Sequence, residues 1–116
     1  MEKKYKLTDE TITFGNRTLY RIEALKDFSN IRKGDKGGFV ESENNLSHEG
    51  NCWIDDNAKV YDRAKIFDNA IIQDYAVIKD CAKIFDNSLI MDNVCIYGSA
   101  EVYSTSVIRN NSRICG

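Results

Sequence analysis

The chain has 116 residues, of which 42% are hydrophobic and 29% are charged, and its formal net charge is −2. This length suits one domain, and this composition excludes an intrinsically disordered chain. No apolar run approaches the roughly 18 residues that a membrane-spanning helix needs, and no apolar stretch follows the basic start MEKKYKLTDE. We therefore expect a cytoplasmic protein without a signal peptide or a membrane partner.

Residues 1–44 lack the periodic pattern that fills the rest of the chain. Within them, TITFGNRTLYRI (11–22) predicts a β-hairpin, because alternating apolar residues flank a turn at Gly15-Asn16. The later stretch KGDKGG (33–38) predicts a turn, and GFVES predicts a short strand after it.

We interpret residues 1–44 as a cap on the repeats that follow. The first unit of a repeat structure exposes unpaired strand edges, and terminal units usually carry a cap for that reason. The alternative is that this segment recognises a partner. Its local positive charge favours that alternative, as do Phe28 and Phe39.

A six-residue repeat fills the remainder of the chain, residues 45–116. From Asn57 the sequence divides into NAKVYD, RAKIFD, NAIIQD, YAVIKD, CAKIFD, NSLIMD, NVCIYG, SAEVYS, TSVIRN and NSRICG. Two looser hexapeptides precede these, NLSHEG (45–50) and NCWIDD (51–56). The fourth position of the ten regular hexapeptides is always Ile or Val, and the second is small in all but one.

A period of six fits short strands and not a helix, whose period is 3.6. The second and fourth positions share one face of an extended strand, and β-branched residues at the fourth favour strand. The sixth and first positions are often Asp-Asn, which is typical of a turn. Short strands that turn after every six residues can bury their isoleucines only by stacking into a solenoid.

The pattern, as in Ile66-Phe67-Asp68-Asn69-Ala70, resembles the hexapeptide repeat of left-handed parallel β-helix proteins, an acyltransferase-like superfamily. The resemblance implies three hexapeptides per triangular coil, and therefore an all-β, left-handed parallel β-helix of about four coils with an N-terminal hairpin and loop cap. Residues 24–53 also resemble the segment before the β-helix in a group of small bacterial and phage proteins labelled transferases.

Residues 18 apart then stack at about 4.8 Å, as neighbouring strands do, and sort the outward side chains into columns. One column is apolar throughout, and an exposed apolar row on a small protein marks an interface. Members of the resembled superfamily are commonly trimers packed side by side. We therefore predict a homo-oligomer, a dimer or trimer. Its predicted self-association surface is Trp53, Ile71, Leu89 and Val107.

A second column is aromatic and is flanked by lysines. One interpretation is a ladder that supports the sheet through cross-strand contacts. The other is a contact surface for a protein partner, because large rings give much contact area at low entropic cost. We predict a partner-binding surface made of Phe67, Phe85, Tyr103, Lys65 and Lys83.

The recurring aspartates and the cysteines have simpler interpretations. Columns of Asp could bind cations or imitate nucleic-acid phosphates, but Asp also caps its own turn, and we favour that role. The four cysteines lack a metal-ligand spacing, so we expect reduced structural thiols and no metal site. The columns are Asp56/Asp74/Asp92, Asp62/Asp80 and Asp68/Asp86, and the cysteines are Cys52, Cys81, Cys95 and Cys115.

The resemblance implies an acyltransferase that uses acyl-CoA and a histidine base, often beside a neighbouring subunit, with a loop that interrupts the coils. The chain has one histidine, His48, at the fourth position of NLSHEG. We expect its side chain to face inward or toward the cap as a structural residue. No insertion interrupts the ten hexapeptides, and no glycine-rich phosphate loop precedes a helix. We therefore predict no catalytic residue and no cofactor.

The predicted function is a non-enzymatic oligomeric binding module that engages another macromolecule. The resemblance to phage proteins suggests a concrete version, a phage-encoded inhibitor of a host defence complex, similar to an anti-CRISPR. Direct nucleic-acid binding is not expected, because neither half of the chain is strongly basic. The alternative is a CoA-dependent acyltransferase of the hexapeptide-repeat class.

Overall fold

The computed structural model describes residues 2–116, and its regular elements are strands and one 3-10 turn (Glu43–Asn45). Three longer strands come first, and two- or three-residue strands follow at regular intervals. The strands are β1 (Tyr5–Phe14), β2 (Arg17–Ala24), β3 (Lys36–Val40), β4 (Trp53–Ile54), β5 (Lys59–Val60), β6 (Lys65–Ile66), β7 (Ile71–Ile72), β8 (Val77–Ile78), β9 (Lys83–Ile84), β10 (Leu89–Ile90), β11 (Cys95–Tyr97), β12 (Glu101–Val102), β13 (Val107–Ile108) and β14 (Arg113–Cys115).

The short strands pair in parallel and form the three faces of a solenoid. The hairpin face has the order β1-β2-β3-β5-β8-β11-β14, the aliphatic face β4-β7-β10-β13, and the aromatic face β6-β9-β12. Paired residues in the regular part are 18 apart, as Ile72 and Ile90 are. Three hexapeptides therefore make one coil, and the prediction of an all-β solenoid of about four coils is confirmed. The predicted hairpin is also confirmed, with Gly15 at positive φ in its turn.

The core runs along the axis of the coils. The inward isoleucines at the fourth positions of the middle coils are at most 1% exposed, and the alanines at the second positions are equally buried. β-Branched side chains fit the short strands, and the alanines fit where the chain bends toward the axis. Full burial of each isoleucine stabilises the fold by about 1.5–3 kcal/mol.

The corners use aspartate in a way that turn chemistry alone did not predict. Each corner aspartate adopts the left-handed conformation, as Asp74 does with φ 61°. Its carboxylate accepts a hydrogen bond from the backbone N–H one coil later, such as Asp92 N to Asp74 Oδ2 at 2.9 Å. The expectation that each Asp hydrogen-bonds within its own turn was therefore wrong, because the donor is a backbone N–H of the next coil. Coils in register place each carboxylate against the next corner, so the columns tie one coil to the next.

The first coil is longer than the others. Strand β3 pairs in parallel with β5, so the parallel stacking begins at residues 36–40, ahead of the hexapeptides. Leu46 pairs with Ile66, 20 residues later, whereas Trp53 pairs with Ile71, 18 residues later. Two extra residues thus enter the turn between Leu46 and Trp53. Counting back in sixes placed His48 at the inward position, and this was wrong, because Leu46 occupies it and is 1% exposed.

The KGDKGG stretch ends in a strand, whereas the sequence predicted a turn through residue 38. Gly37 and Gly38 lie in β3, against the backbone carbonyls and side chains of β4 and the corner that follows it. A Cβ atom at Gly38 would lie 2.6 Å from Ile54 Cγ2. Glycine is required here by close approach of the chain to the first coil.

The hairpin also covers the outside of the hairpin face. Leu19, Phe39 and Tyr61 form a second apolar cluster there, separate from the axial core. The Arg21 guanidinium lies 4.2 Å from the centroid of the Phe39 ring, which is 3% exposed. Phe39 therefore cannot serve as an exposed recognition residue. No helix among residues 2–116 is long and apolar enough to cross a membrane.

Candidate functional site

His48 lies between the N-terminal strand and the first coil, with 14% of its side chain exposed. Its ring stacks on Tyr5, with 4.2 Å between the centroids and 14° between the planes. Its Nδ1 accepts a hydrogen bond from the backbone N–H of Lys4 at 3.1 Å, and its Nε2 lies 2.8 Å from Glu43 Oε1. Of the two orientations expected for His48, inward or toward the cap, the structure shows the second.

These two contacts define the tautomer of His48. A nitrogen that accepts from an N–H carries no proton, so Nδ1 is bare and Nε2 carries the proton that it donates to Glu43. In a catalytic pair the carboxylate would hold the protonated nitrogen, and the other nitrogen would face the substrate. Here the free lone pair is occupied by the cap, so His48 presents no base to solvent.

Glu43 joins His48 to the N-terminal strand. Its carboxylate accepts from His48 Nε2 and forms an ion pair with Lys3 at 3.1 Å. Partial burial acts to raise the pKa of Glu43, but the hydrogen bonds from His48 and Lys3 outweigh it, and the pKa is lowered. Glu43 is therefore a charged acceptor that holds the histidine in place.

A buried lysine fastens the same strand to the first coil. Lys4 is fully buried, and its Nζ donates to the carbonyl oxygens of Cys52 at 2.7 Å and Gly50 at 3.2 Å. The ammonium also lies 5.0 Å from the centroid of the Phe28 ring. Burial lowers the pKa of Lys4 and raises the pKa of the Cys52 thiol, outweighing their mutual attraction. Backbone N–H groups of each coil donate to carbonyls of the coil that follows, so Lys4 satisfies carbonyls of the first coil that have no preceding coil to donate to them.

An open groove of about 310 Å³ lies where the cap meets the aromatic face. It is lined by Glu43, Leu46, Ser47 and His48 of the first coil and by Lys65 and Phe67 of the aromatic face. The groove therefore combines one apolar ring with charged and polar groups. Sequence reasoning missed it, because the two-residue insertion in the first coil, which moves Ser47 into register with Phe67, has no pattern of its own.

The predicted aromatic column is a stacked ladder on the outer surface of the aromatic face. The centroids of Phe67 and Phe85 are 4.9 Å apart with the rings 4° from parallel, and those of Phe85 and Tyr103 are 5.7 Å apart. Tyr103 is 53% exposed, and Lys65 and Lys83 beside the rings are exposed as well. The structure thus brings together all five residues of the predicted partner-binding surface.

The aliphatic column differs from its prediction at its first member. Trp53 is 1% exposed, because the ring of Phe28 packs edge-on against it with the centroids 5.4 Å apart. Ile71 and Leu89 are partly buried, and Val107 is 56% exposed. The expectation that all four point into solvent was wrong for Trp53, since the cap covers the first coil. Of the residues predicted for self-association, Ile71, Leu89 and Val107 are at least partly exposed.

The acidic columns and cysteines supply no further site. Among residues 2–116 no cluster of three His, Cys, Asp or Glu side chains could hold a metal ion. The corner aspartates are occupied by backbone N–H groups of the next coil. The cysteines are free thiols, of which Cys52 is buried and Cys81 and Cys115 are exposed.

Part of the chain is similar in sequence to a known bacterial protein. The chain is 37% identical over 62 residues to a protein of Escherichia coli (strain K12) described as "Uncharacterized acetyltransferase YdcK". That match covers 47% of this chain and 19% of the relative, so the chain spans about a fifth of the protein that it matches. No family model matches the chain. The similarity and the solenoid together agree with an acyltransferase-like fold.

Proposed function

We propose that this chain is an acyltransferase-type solenoid that works by binding another macromolecule and does not catalyse acyl transfer. One observation supports this most directly. Both ring nitrogens of His48, the histidine that the resemblance would make a base, are engaged within the cap. A general base needs a lone pair within reach of the substrate proton. The engaged ring favours a structural role for the residue.

The aromatic face is the proposed binding surface. Its ladder of Phe67, Phe85 and Tyr103 is rigid, because the rings stack on one another and on a sheet. Rigid aromatic side chains lose little entropy on binding and are enriched among residues that dominate binding energy. The aliphatic face, through Ile71, Leu89 and Val107, is the proposed surface for association with further copies of the chain.

Two measurements on the purified chain test these surfaces. Light scattering at tens of micromolar should show a dimer or trimer, and Leu89→Lys should shift it toward monomer. Phe85→Ala should abolish capture of the partner while circular dichroism and oligomer size stay unchanged. Lys36→Ala, an exposed lysine on the hairpin face, is the matched surface control and should retain capture. A monomeric parent protein would contradict the proposed self-association.

A second candidate function is CoA-dependent acyl transfer, and the similarity to a protein described as an acetyltransferase favours it over the first. Its site would be the groove lined by Glu43, His48, Lys65 and Phe67. Catalysis by His48 would require the N-terminal strand to release Nδ1. The binding proposal expects no heat when acetyl-CoA or CoA is titrated into the protein, and no release of CoA in the presence of amine or hydroxyl acceptors. Sub-millimolar CoA binding that is lost in His48→Gln would support the transferase and overturn the first candidate.

The narrower hypothesis of a phage-encoded inhibitor of a host defence complex has no support from the similar protein or from the fold. The proposal therefore stops at a macromolecular partner. A direct binding assay between the purified chain and an isolated defence complex would test the narrower hypothesis, and absence of binding would remove it.

A further inference from the structure

The aromatic ladder begins with Phe67 in the second coil and has no ring in the first coil. In the regular coils, Phe67 N donates to Ile84 O, and the Phe67 ring stacks on Phe85. In the first coil, Ser47 N donates to Ile66 O in the same way. Ser47 therefore stands in register above Phe67, at the position where a fourth ring would be. A small side chain leaves the upper face of the Phe67 ring without a stacking partner.

The groove described above occupies this position. Its volume of about 310 Å³ exceeds that of one aromatic ring, and it is bordered by Ser47, Phe67 and Lys65. The existing rings stack at 4.9 and 5.7 Å, so a ring placed over Phe67 at the same spacing would continue the ladder. Stacked aromatic pairs are worth about 0.5–1.5 kcal/mol beyond the area that they bury. The part of the groove over Phe67, which we call the slot, therefore has room for a planar ring.

The two lysines beside the ladder place two positive charges next to each other on this face. Lys65 and Lys83 are directly paired in neighbouring strands, and both are exposed. Like charges directly opposite one another in a sheet are destabilising. Within residues 2–116 neither lysine forms an ion pair with a carboxylate, although Glu101 follows Lys83 in the column. An anionic partner along this strip would relieve the repulsion.

We infer that the slot above Phe67 receives an aromatic side chain from an acidic, extended segment of a partner protein, whose carboxylates lie along Lys65 and Lys83. This inference rests on the proposed binding function and names the chemistry of the partner. A small ligand is normally buried over most of its surface in an enclosed pocket. This groove is open and ends at Phe67, from which the stacked rings of Phe85 and Tyr103 continue along the face, an arrangement that suits an extended chain.

The test uses the whole protein and three synthetic probes, the capped peptides GEEFEEG, GEEAEEG and GKKFKKG, each titrated by calorimetry at low salt. GEEFEEG should bind, and the other two should bind at least about tenfold more weakly, because one lacks the ring and the other has the wrong charge. Binding of all three with equal affinity, or of none, would overturn the inference.

The decisive variant is Ser47→Phe, which fills the slot with the protein's own ring. It should weaken GEEFEEG binding by about tenfold or more while leaving the thermal midpoint unchanged or higher. Ser99→Phe places the same ring at an exposed corner and should leave binding intact. Lys65→Gln should weaken binding about threefold and reduce its salt dependence, whereas Lys36→Gln should not. Unchanged binding in Ser47→Phe would exclude the slot.

Two further outcomes separate this inference from the proposed function. If GEEFEEG fails to bind while Phe85→Ala still abolishes capture of the partner, the slot inference is wrong and the binding module stands. If CoA or adenosine monophosphate binds and Ser47→Phe blocks it, the slot takes a small molecule. That result would overturn the inference and favour the transferase.

Discussion

Backbone polar groups at the corners are satisfied in different ways in the regular coils (residues 57–116) and in the cap and first coil (residues 2–56). Both must satisfy backbone groups at corners where the chain turns every few residues. In the regular coils, one device recurs at the six successive corners from Asp62 to Asp92, where an aspartate in the left-handed conformation accepts a backbone hydrogen bond from the next coil. In the first coil and cap, individual side chains such as Asn45 and Lys4 each hydrogen-bond several backbone groups.

Asn45 shows the second solution most clearly. It is 1% exposed, its Oδ1 accepts from the N–H groups of Glu41 and Ser42, and its Nδ2 donates to the carbonyls of Asp62 and Ala64. Lys4 serves two carbonyls of the same coil. In the regular coils, many equivalent corners each contribute a small part of the stability. At the N-terminal end of the solenoid, the same contribution depends on a few residues, and no other side chain repeats their contacts.

The largest expected effect is loss of a core isoleucine in the regular coils. Ile78 is fully buried, and Ile78→Ala should lower the free energy of unfolding by about 2–5 kcal/mol through lost transfer energy and a cavity. Urea unfolding followed by circular dichroism measures it. Lys79→Ala, one residue later and pointing outward, should change stability by no more than about 0.5 kcal/mol. Equal effects at the two positions would mean that the register is wrong.

Next comes the corner of the first coil. Asn45→Ala removes the side-chain partner of four backbone groups, of which only Glu41 N keeps another hydrogen bond, to Val60 O at 3.3 Å. We expect a loss of about 2–3 kcal/mol in the same urea experiment. Asn87→Ala, at an exposed corner of a regular coil, is the matched control and should be nearly neutral. If the two alanine variants unfold at the same urea concentration, the first coil is no more dependent on single residues than the others.

A single aspartate in the regular coils should matter less. Asp74→Ala removes one acceptor and places alanine at φ 61°, so we expect a loss of about 1–2 kcal/mol. Asp74→Asn keeps an acceptor oxygen and tolerates this conformation, and it should stay within about 0.5 kcal/mol of the parent. Thermal unfolding of the pair tests whether geometry or charge is important at the corners. A large loss in Asp74→Asn would point to charge.

The smallest expected effect is on pH dependence at the cap. The pKa of Glu43 is lowered from its usual value of 4.5, so its contribution to stability is present above pH 4.5 and is lost as the pH falls through the lowered value. Glu43→Gln should remove this part of the acid destabilisation. Because 39% of the side chain is exposed, the difference should not exceed about 0.5 kcal/mol. Urea midpoints at pH 7 and pH 3 measure it, and Glu49→Gln, with its exposed carboxylate, serves as control.

Much of the regular part could be predicted because its information is local and repeated. Ile84 points inward and Phe85 outward because neighbouring side chains of a strand alternate. Their stacking follows from the spacing of 18. The left-handed crossover, the oligomeric state and the identity of the partner stay predictions. His48 was assigned to the correct side of the molecule but to the wrong position, because counting in sixes cannot detect an insertion.

By itself, the sequence determined the period, the alternation of buried and exposed residues and the positions of the corners, since each depends on residues within one or two hexapeptides. Only the tertiary structure decided that Leu46 and not His48 enters the core, that Phe28 covers Trp53, and that Ser47 leaves a slot above Phe67. The physical reason is that these contacts join segments with no shared pattern. Lys4 and Cys52, for example, are 48 residues apart, and their packing follows from which surfaces meet when the cap closes on the first coil.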